Sequence, residues 1–294
     1  MAVLVADVRR TTGVVRLAPR SSVLVAVTSL VGVAAFTWPF LLHGTSAATQ
    51  AHAADAPWVF MAVLPLLVAV ILAELSEGAL DAKAVAVLGI LAACGAALRI
   101  PSPGVAGFEP VFFLLIPAGR VLGRSFGFVL GALTIAVSAL VTGGVGPWLP
   151  FQMFGAAWIG FGAGCLPPAR GRVEIALLAA YAAMAGLVYG ALLNLWFWPF
   201  GAGATGQLAY VPGAGVLENL HRFLLFDLTT SLGFDIPRAV TTAVLVLVLG
   251  APVLAALRRV CRRAAFDALV EFESLGDGSG GDGAVDGPEV ALHA

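Results

Sequence analysis

Charge is what this chain has least of. Lys and Arg number 16 and Asp and Glu 17, so 11% of its 294 residues are charged while 60% are hydrophobic. Soluble domains carry roughly 25% charged residues, so most of this chain must meet lipid or other apolar helices. Cysteine is nearly absent. Cys94, Cys165 and Cys261 lie far apart without metal-ligand spacing, which reads as packing rather than a redox centre. Histidine numbers four, none of them in the middle of an apolar run. No Walker A sequence, HExxH or aspartate-rich pair occurs, which argues against nucleotide hydrolysis and zinc proteolysis on this chain. Ionisable residues are almost missing from the apolar runs, which disfavours ion-coupled transport. A cleavable signal peptide is not expected either, because the first apolar run, from Ser22, is a full span.

What is present is a series of long, unbroken apolar runs. In hydrocarbon only helices and closed barrels satisfy their own backbone, and barrel strands alternate in short dyads. These runs approach the ~20 residues of a spanning helix, so the expected fold is an all-α membrane protein. Eight spans are expected, at about 22–42, 58–75, 83–99, 110–123, 126–145, 151–168, 173–198 and 238–258. The fourth is short and holds Pro117, so it should be tilted, broken or shielded by its neighbours. With the N-terminus inside, thirteen basic residues fall on the cytoplasmic side: Arg9, Arg10, Arg16, Arg20, Lys83, Arg120, Arg124, Arg170, Arg172, Arg258, Arg259, Arg262 and Arg263. Only Arg99, Arg222 and Arg238 fall outside. The positive-inside rule then puts both termini in the cytoplasm and the chain in the cell membrane as a multi-pass protein. The expected organisation is a cytoplasmic segment 1–21, a two-helix transmembrane hairpin 22–75, a six-helix core 83–258 and a basic, then acidic and Gly-rich, tail 259–294. The tail cannot bury apolar surface and should be disordered. The loop 43–57, with His43 and His52, reads as solvated rather than as a metal site.

Three features point to function. The span 83–99 carries small residues four apart, Gly89, Ala93 and Ala97, with Ala92 and Ala96 beside them. Such a stripe lets a helix approach closely, either within the chain or from a second subunit. The outer ends of several spans mix aromatic and polar side chains: Arg99, Phe108 and Glu109 around one loop, Trp148 and Gln152 around another, Asn194 and Trp196 at a span end. A mostly apolar lining with a few placed polar groups is the make-up of a small-molecule site, although Trp also belongs to interfacial belts. The long outer segment 199–237 contains a helical stretch with Glu218 and Arg222 four apart and with His221 between them. It should lie in the interface or plug a cavity mouth.

The region Lys83 to Arg258 resembles the S components of energy-coupling-factor (ECF) transporters. The resemblance rests on the Ala/Gly-rich helix 83–99, the loop Gly104-Val105-Ala106-Gly107-Phe108-Glu109-Pro110, and the stretch Ala118 to Phe128 with Gly131-Ala132-Leu133. Its most specific part is Gly146-Pro147-Trp148-Leu149-Pro150-Phe151-Gln152-Met153, which looks like cobalamin-type S components of actinobacteria. The resemblance implies a non-enzymatic subunit that binds a vitamin on the outer face and topples in the bilayer to release it inward. It implies substrate contacts from Arg99, Phe108, Glu109, Trp148, Gln152, Asn194, Trp196 and His221, and closure of loop 100–109 over the ligand. It also implies docking through Ala92 with Ala96, or Ala93 with Ala97, to a transmembrane scaffold (T component) that carries two cytoplasmic ATPases. The chain would hold no cofactor or metal of its own and bind no nucleic acid. Cobalamin or a related corrinoid is the leading cargo, with flavin or thiamine/pyrimidine types as alternatives. Rival readings are an intramembrane enzyme using Glu109, His221 and Asp227, and a scaffold that binds no small molecule.

Overall fold

The computed structural model describes residues 19–41, 82–101, 105–200 and 205–264. Among the described residues every regular element is helical: α1 (Pro19–Leu41), α2 (Ala82–Arg99), α3 (Val111–Leu122), α4 (Arg124–Thr142), α5 (Leu149–Cys165), α6 (Gly171–Phe197), α7 (Val216–Thr230) and α8 (Leu232–Ala264). Among the described residues three helices are long and apolar enough to cross a membrane: Arg124–Thr142, Gly171–Phe197 and Leu232–Arg263. The expected span 58–75, the loop 43–57, residues 1–18 of the first cytoplasmic segment and the acidic tail lie outside the described residues.

The short helix α3 is the axis of the fold. Val111, Phe112, Leu115, Ile116, Ala118 and Leu122 have no exposed surface, and α2, α4, α5, α6 and α8 all pack against it. Its neighbours shield it, one of the possibilities left by its length. A helix enclosed by others needs neither the length nor the lipid-facing residues of a full span. Gly123 joins α3 directly to α4 with φ 109° and ψ 163°, a conformation that a side chain would strain.

The α4–α5 contact is made by backbone. A Cβ on Gly127 would run into the Gly160 carbonyl, and one on Gly160 into the Gly127 carbonyl. Gly131 meets the Ala156 carbonyl in the same way. Small residues are the usual means by which helices in lipid gain close van der Waals contact.

Two features add to the expected layout. The first span packs against the core. Phe36 of α1 is buried against Phe151 at 5.0 Å and Trp158 at 5.6 Å between ring centroids. The Trp158 indole N–H donates to Ser29 Oγ at 3.2 Å. The last helix begins at Leu232 rather than near 238. Pro237 lies close enough to its N-terminus that few turns precede the lost donor, and Asp235, expected in the outer segment 199–237, is helical.

The bundle has two charged ends, one around Glu109 and one around Glu174. At the Glu109 end a smaller apolar cluster forms from Trp198, Phe223 and Phe226, with Phe40, Leu208 and Tyr210 packed on it. Asn219 pins this cap by bonding both the N–H and the carbonyl of Val211, at 3.1 and 3.0 Å.

The backbone contact sets a clear expectation. Gly160→Ala should cost about 1–3 kcal/mol, because the clash is with main chain that no rotamer change relieves. Gly89→Ala, where a Cβ meets nothing within 4 Å, should be neutral or mildly stabilising, since Ala favours a helix interior over Gly by about 1 kcal/mol. Thermal unfolding of both purified variants in one detergent measures the difference.

Candidate functional site

Glu109 is the centre of a buried ionic cluster. It sits just before α3, after a turn in which Ala106 (φ 52°) and Gly107 (φ 78°) take left-handed backbone. A Cβ on Gly107 would collide with the Phe234 carbonyl, so only glycine lets this turn abut the start of α8. The turn delivers the carboxylate to two arginines. Arg99 Nη2 lies 3.4 Å from Glu109 Oε1, and Arg238 Nε lies 3.0 Å from Oε2. Arg238 also pairs with Asp235 at 2.6 Å and donates to the Gly186 carbonyl at 3.3 Å. Arg99 Nη1 donates to Ser138 Oγ at 3.1 Å. All four charged side chains are less than a tenth exposed.

The cluster contains two cations and two anions, as burial demands. An unpaired ion loses its hydration without compensation, whereas a pair with good geometry recovers most of it. The segments joined are far apart in sequence: α2, the turn before α3, α4, α6 and α8. Below the arginines lies Tyr189, its ring 5.5 Å from the Arg238 guanidinium carbon and 4.7 Å from the Phe112 ring. Tyr189 Oη and Arg99 Nε are buried and without a hydrogen-bond partner among the described residues. Such atoms are rare in native interiors, and here two flank one charge cluster. They offer a hydroxyl and a guanidinium N–H to a polar ligand group. Among the described residues no three His, Cys, Asp or Glu side chains gather as a metal set.

A second polar link lies beside the cap. Asn194 Nδ2 donates to Asp227 Oδ1 at 2.8 Å. Burial pushes the Asp227 carboxyl above the ordinary aspartate range; the Asn194 hydrogen bond opposes this and nearby Asp235 adds to it.

The expected site residues divide between these surroundings. Arg99 and Glu109 meet in the ionic cluster, and Phe108 beside them is 43% exposed. Asn194 is tied to Asp227. Trp196 packs on Phe151, with ring centroids 5.2 Å apart and planes tilted by 38°, and its buried indole nitrogen has no partner among the described residues. Trp148 is 42% exposed, with its indole N–H bound to Gly144 of its own loop at 3.1 Å. Gln152 is half-buried on the first turn of α5, and His221 is exposed on α7. The Glu218–Arg222 pair forms at the surface, at 2.9 Å. Of the trio of the enzyme reading, Glu109 is held by two arginines, His221 is exposed, and Asp227 is bound by Asn194 with Asp235 nearby.

The small-residue stripe also resolves into two faces. Ala92 and Ala96 are buried by this chain's own helices, and Gly95 between them faces Thr134 of α4. They are internal packing and give no surface to a partner. Ala93 and Ala97 are exposed, in line with Gly89. Sequence reasoning missed Arg238, Asp235, Tyr189 and Ser138 as members of the cluster. The three-residue spacing of Asp235 and Arg238 was the available signal. It also took Arg120 for a topological anchor. Arg120 in fact bonds Glu174 at 3.0 Å and the Leu166 carbonyl at 2.9 Å. Arg258 grips the same carboxylate at 2.7 and 2.8 Å.

Removing one partner of the Glu109 cluster should be costly. Arg238→Gln leaves two buried carboxylates with one arginine and should destabilise by about 3–5 kcal/mol. Arg222→Ala, at the surface pair, should cost about 0.3–0.5 kcal/mol. Asp227→Asn should raise the melting temperature at pH 7, because the charged form is disfavoured in the folded state. The gain should shrink as pH falls through the raised native pKa towards the unfolded aspartate range, where wild-type Asp227 becomes neutral in both states. No family model matches this chain, and no curated protein or solved structure is significantly similar to it.

Proposed function

We propose that this chain is the substrate-binding membrane subunit of a vitamin importer of the energy-coupling-factor kind, with cobalamin or a related corrinoid as cargo. In this reading the eight-span layout holds, with the Glu109 end outward and the Glu174 end and both termini in the cytoplasm of a multi-pass cell-membrane protein. The observation that carries the reading is the Glu109 cluster with its two unpartnered polar atoms. Glu109 belongs to the loop 100–109, and both of its arginines lie on helices that frame the bundle mouth. Moving that loop therefore means exchanging the arginine contacts of Glu109 for others, which a polar ligand group can supply. Asn194, Trp196, Gln152 and Trp148 belong to the same end of the bundle, which also carries the aromatic cap. These are the components of a site for a large ligand with amide-bearing arms: flat surfaces and a few fixed hydrogen-bond groups.

The exposed pair Ala93 and Ala97 is the docking face for the T component in this proposal. Energy comes from the two ATPases of that partner complex, since this chain carries no nucleotide motif. A second reading is favoured by one observation. Glu109 and Asp235 are buried carboxylates in a helical bundle, and such groups commonly mark proton or ion pathways. Proton-coupled transport by this chain alone would use the same cluster.

The full chain, purified in detergent, should bind a corrinoid and take on its visible absorption. Trp148→Ala and Gln152→Ala should each raise Kd about tenfold, about 1.4 kcal/mol of lost contact, while leaving the melting temperature within a few degrees. A protein indifferent to corrinoid but binding flavin or thiamine would change the cargo. One that binds none of them removes the importer reading. Uptake into proteoliposomes by the chain alone, abolished by collapsing the proton gradient, would establish the second reading instead.

A further inference from the structure

The Glu174 end holds an open cavity of about 760 Å³ between the first turns of α6 and the last turns of α8. Its floor is hydrocarbon, from Ile175, Leu247 and Ala251, and its rim carries Arg172, Arg259 and Arg262 beside the Glu174–Arg258 pair. Leu247 and Ala251 are exposed on the outside of α8, so the floor is open towards lipid. The rim arginines are exposed as well. Glu174 is the one carboxylate at this end among the described residues, and Arg120 and Arg258 already hold it. Arg172, Arg259 and Arg262 have no ion pair among the described residues.

The two halves of this groove call for different partners. A free anion would meet the arginines and leave the apolar floor wet. A neutral acyl chain would cover the floor and leave three cations uncompensated. One molecule that does both is a lipid with an anionic headgroup. We infer that this groove binds an anionic glycerophospholipid of the surrounding leaflet, its phosphate between Arg172, Arg259 and Arg262 and one acyl chain along Leu247 and Ala251. Basic pockets between membrane helices are suited to such headgroups, and each arginine near an anionic surface contributes on the order of fivefold in affinity. The inference concerns the end of the bundle opposite the Glu109 cluster and does not depend on the importer reading.

Native mass spectrometry of the full chain, released from mixed micelles of phosphatidylglycerol and phosphatidylcholine, tests it. Wild type should retain one phosphatidylglycerol in preference to phosphatidylcholine. The triple variant Arg172→Gln, Arg259→Gln, Arg262→Gln should lose about a hundredfold in retention. Ala251→Phe, which fills the floor and leaves every arginine in place, should lose retention independently. The pair Arg124→Gln, Arg170→Gln, outside the groove, should retain the lipid as wild type does. Millimolar inorganic phosphate should not displace it. Equal retention of phosphatidylcholine would overturn the inference in favour of acyl-chain contact alone, and an equal loss in the Arg124 and Arg170 pair would overturn it in favour of diffuse surface attraction. Displacement by phosphate would make the site one for a free anion. Retention that emerges only after Asp277, Asp282 and Asp286 are changed to Asn would assign the groove to the chain's own acidic tail.

Discussion

A carboxylate withdrawn from water must bring its counter-charge with it, and this fold is arranged around two such carboxylates. Glu109 is held by Arg99 and Arg238, and Glu174 by Arg120 and Arg258. Each is almost fully buried, and each is gripped by two arginines from distant parts of the chain. Helix α8 supplies one arginine to each end, so a single continuous helix ties both clusters together. Between Arg238 and Arg258 lie about 20 residues, or about 30 Å of helix. That is close to the thickness of a bilayer's hydrocarbon core. The apolar length of α8 and the spacing of its two charged grips thus express one constraint.

Within that frame, packing does what hydrophobicity cannot. Lipid is as apolar as leucine, so helices gain nothing by merely hiding greasy side chains from it. Close backbone contact at Gly127 and Gly160, and full enclosure of α3, supply contacts that lipid tails would not match. The cap at the Glu109 end works differently. It has a small aromatic core and a pinned loop, and its helix α7 leaves Leu217, Leu224 and Leu228 exposed.

The existence and the approximate ends of most helices were legible in the sequence, because long apolar runs admit few other structures. The enclosure of α3 was legible only as an anomaly of length. Which face of α2 turns inward was not legible, since that helix is apolar and small on all sides: Ala92 and Ala93 look alike until the fold distinguishes them. The ionic clusters were the largest omission. Glu109 and Arg238 are 129 residues apart, and a charge near the end of an apolar run reads the same whether it reaches out to water or inward to a partner. Glu174 carried one usable clue, as a lone acid among many arginines. Asp235 was masked by Pro237, which made the start of α8 resemble loop.

The two ends of the molecule differ in how their charges are spent. At the Glu109 end Arg99 and Arg238 are neutralised inside the protein, and among the described residues the Glu218–Arg222 pair is the ion pair left at the surface there. At the Glu174 end Arg172, Arg259 and Arg262 stay in contact with solvent. Dipping the first end into hydrocarbon strips few ions of their water, while dipping the second strips several. In a bilayer, the arginine-rich end is therefore the costlier of the two to bring into hydrocarbon.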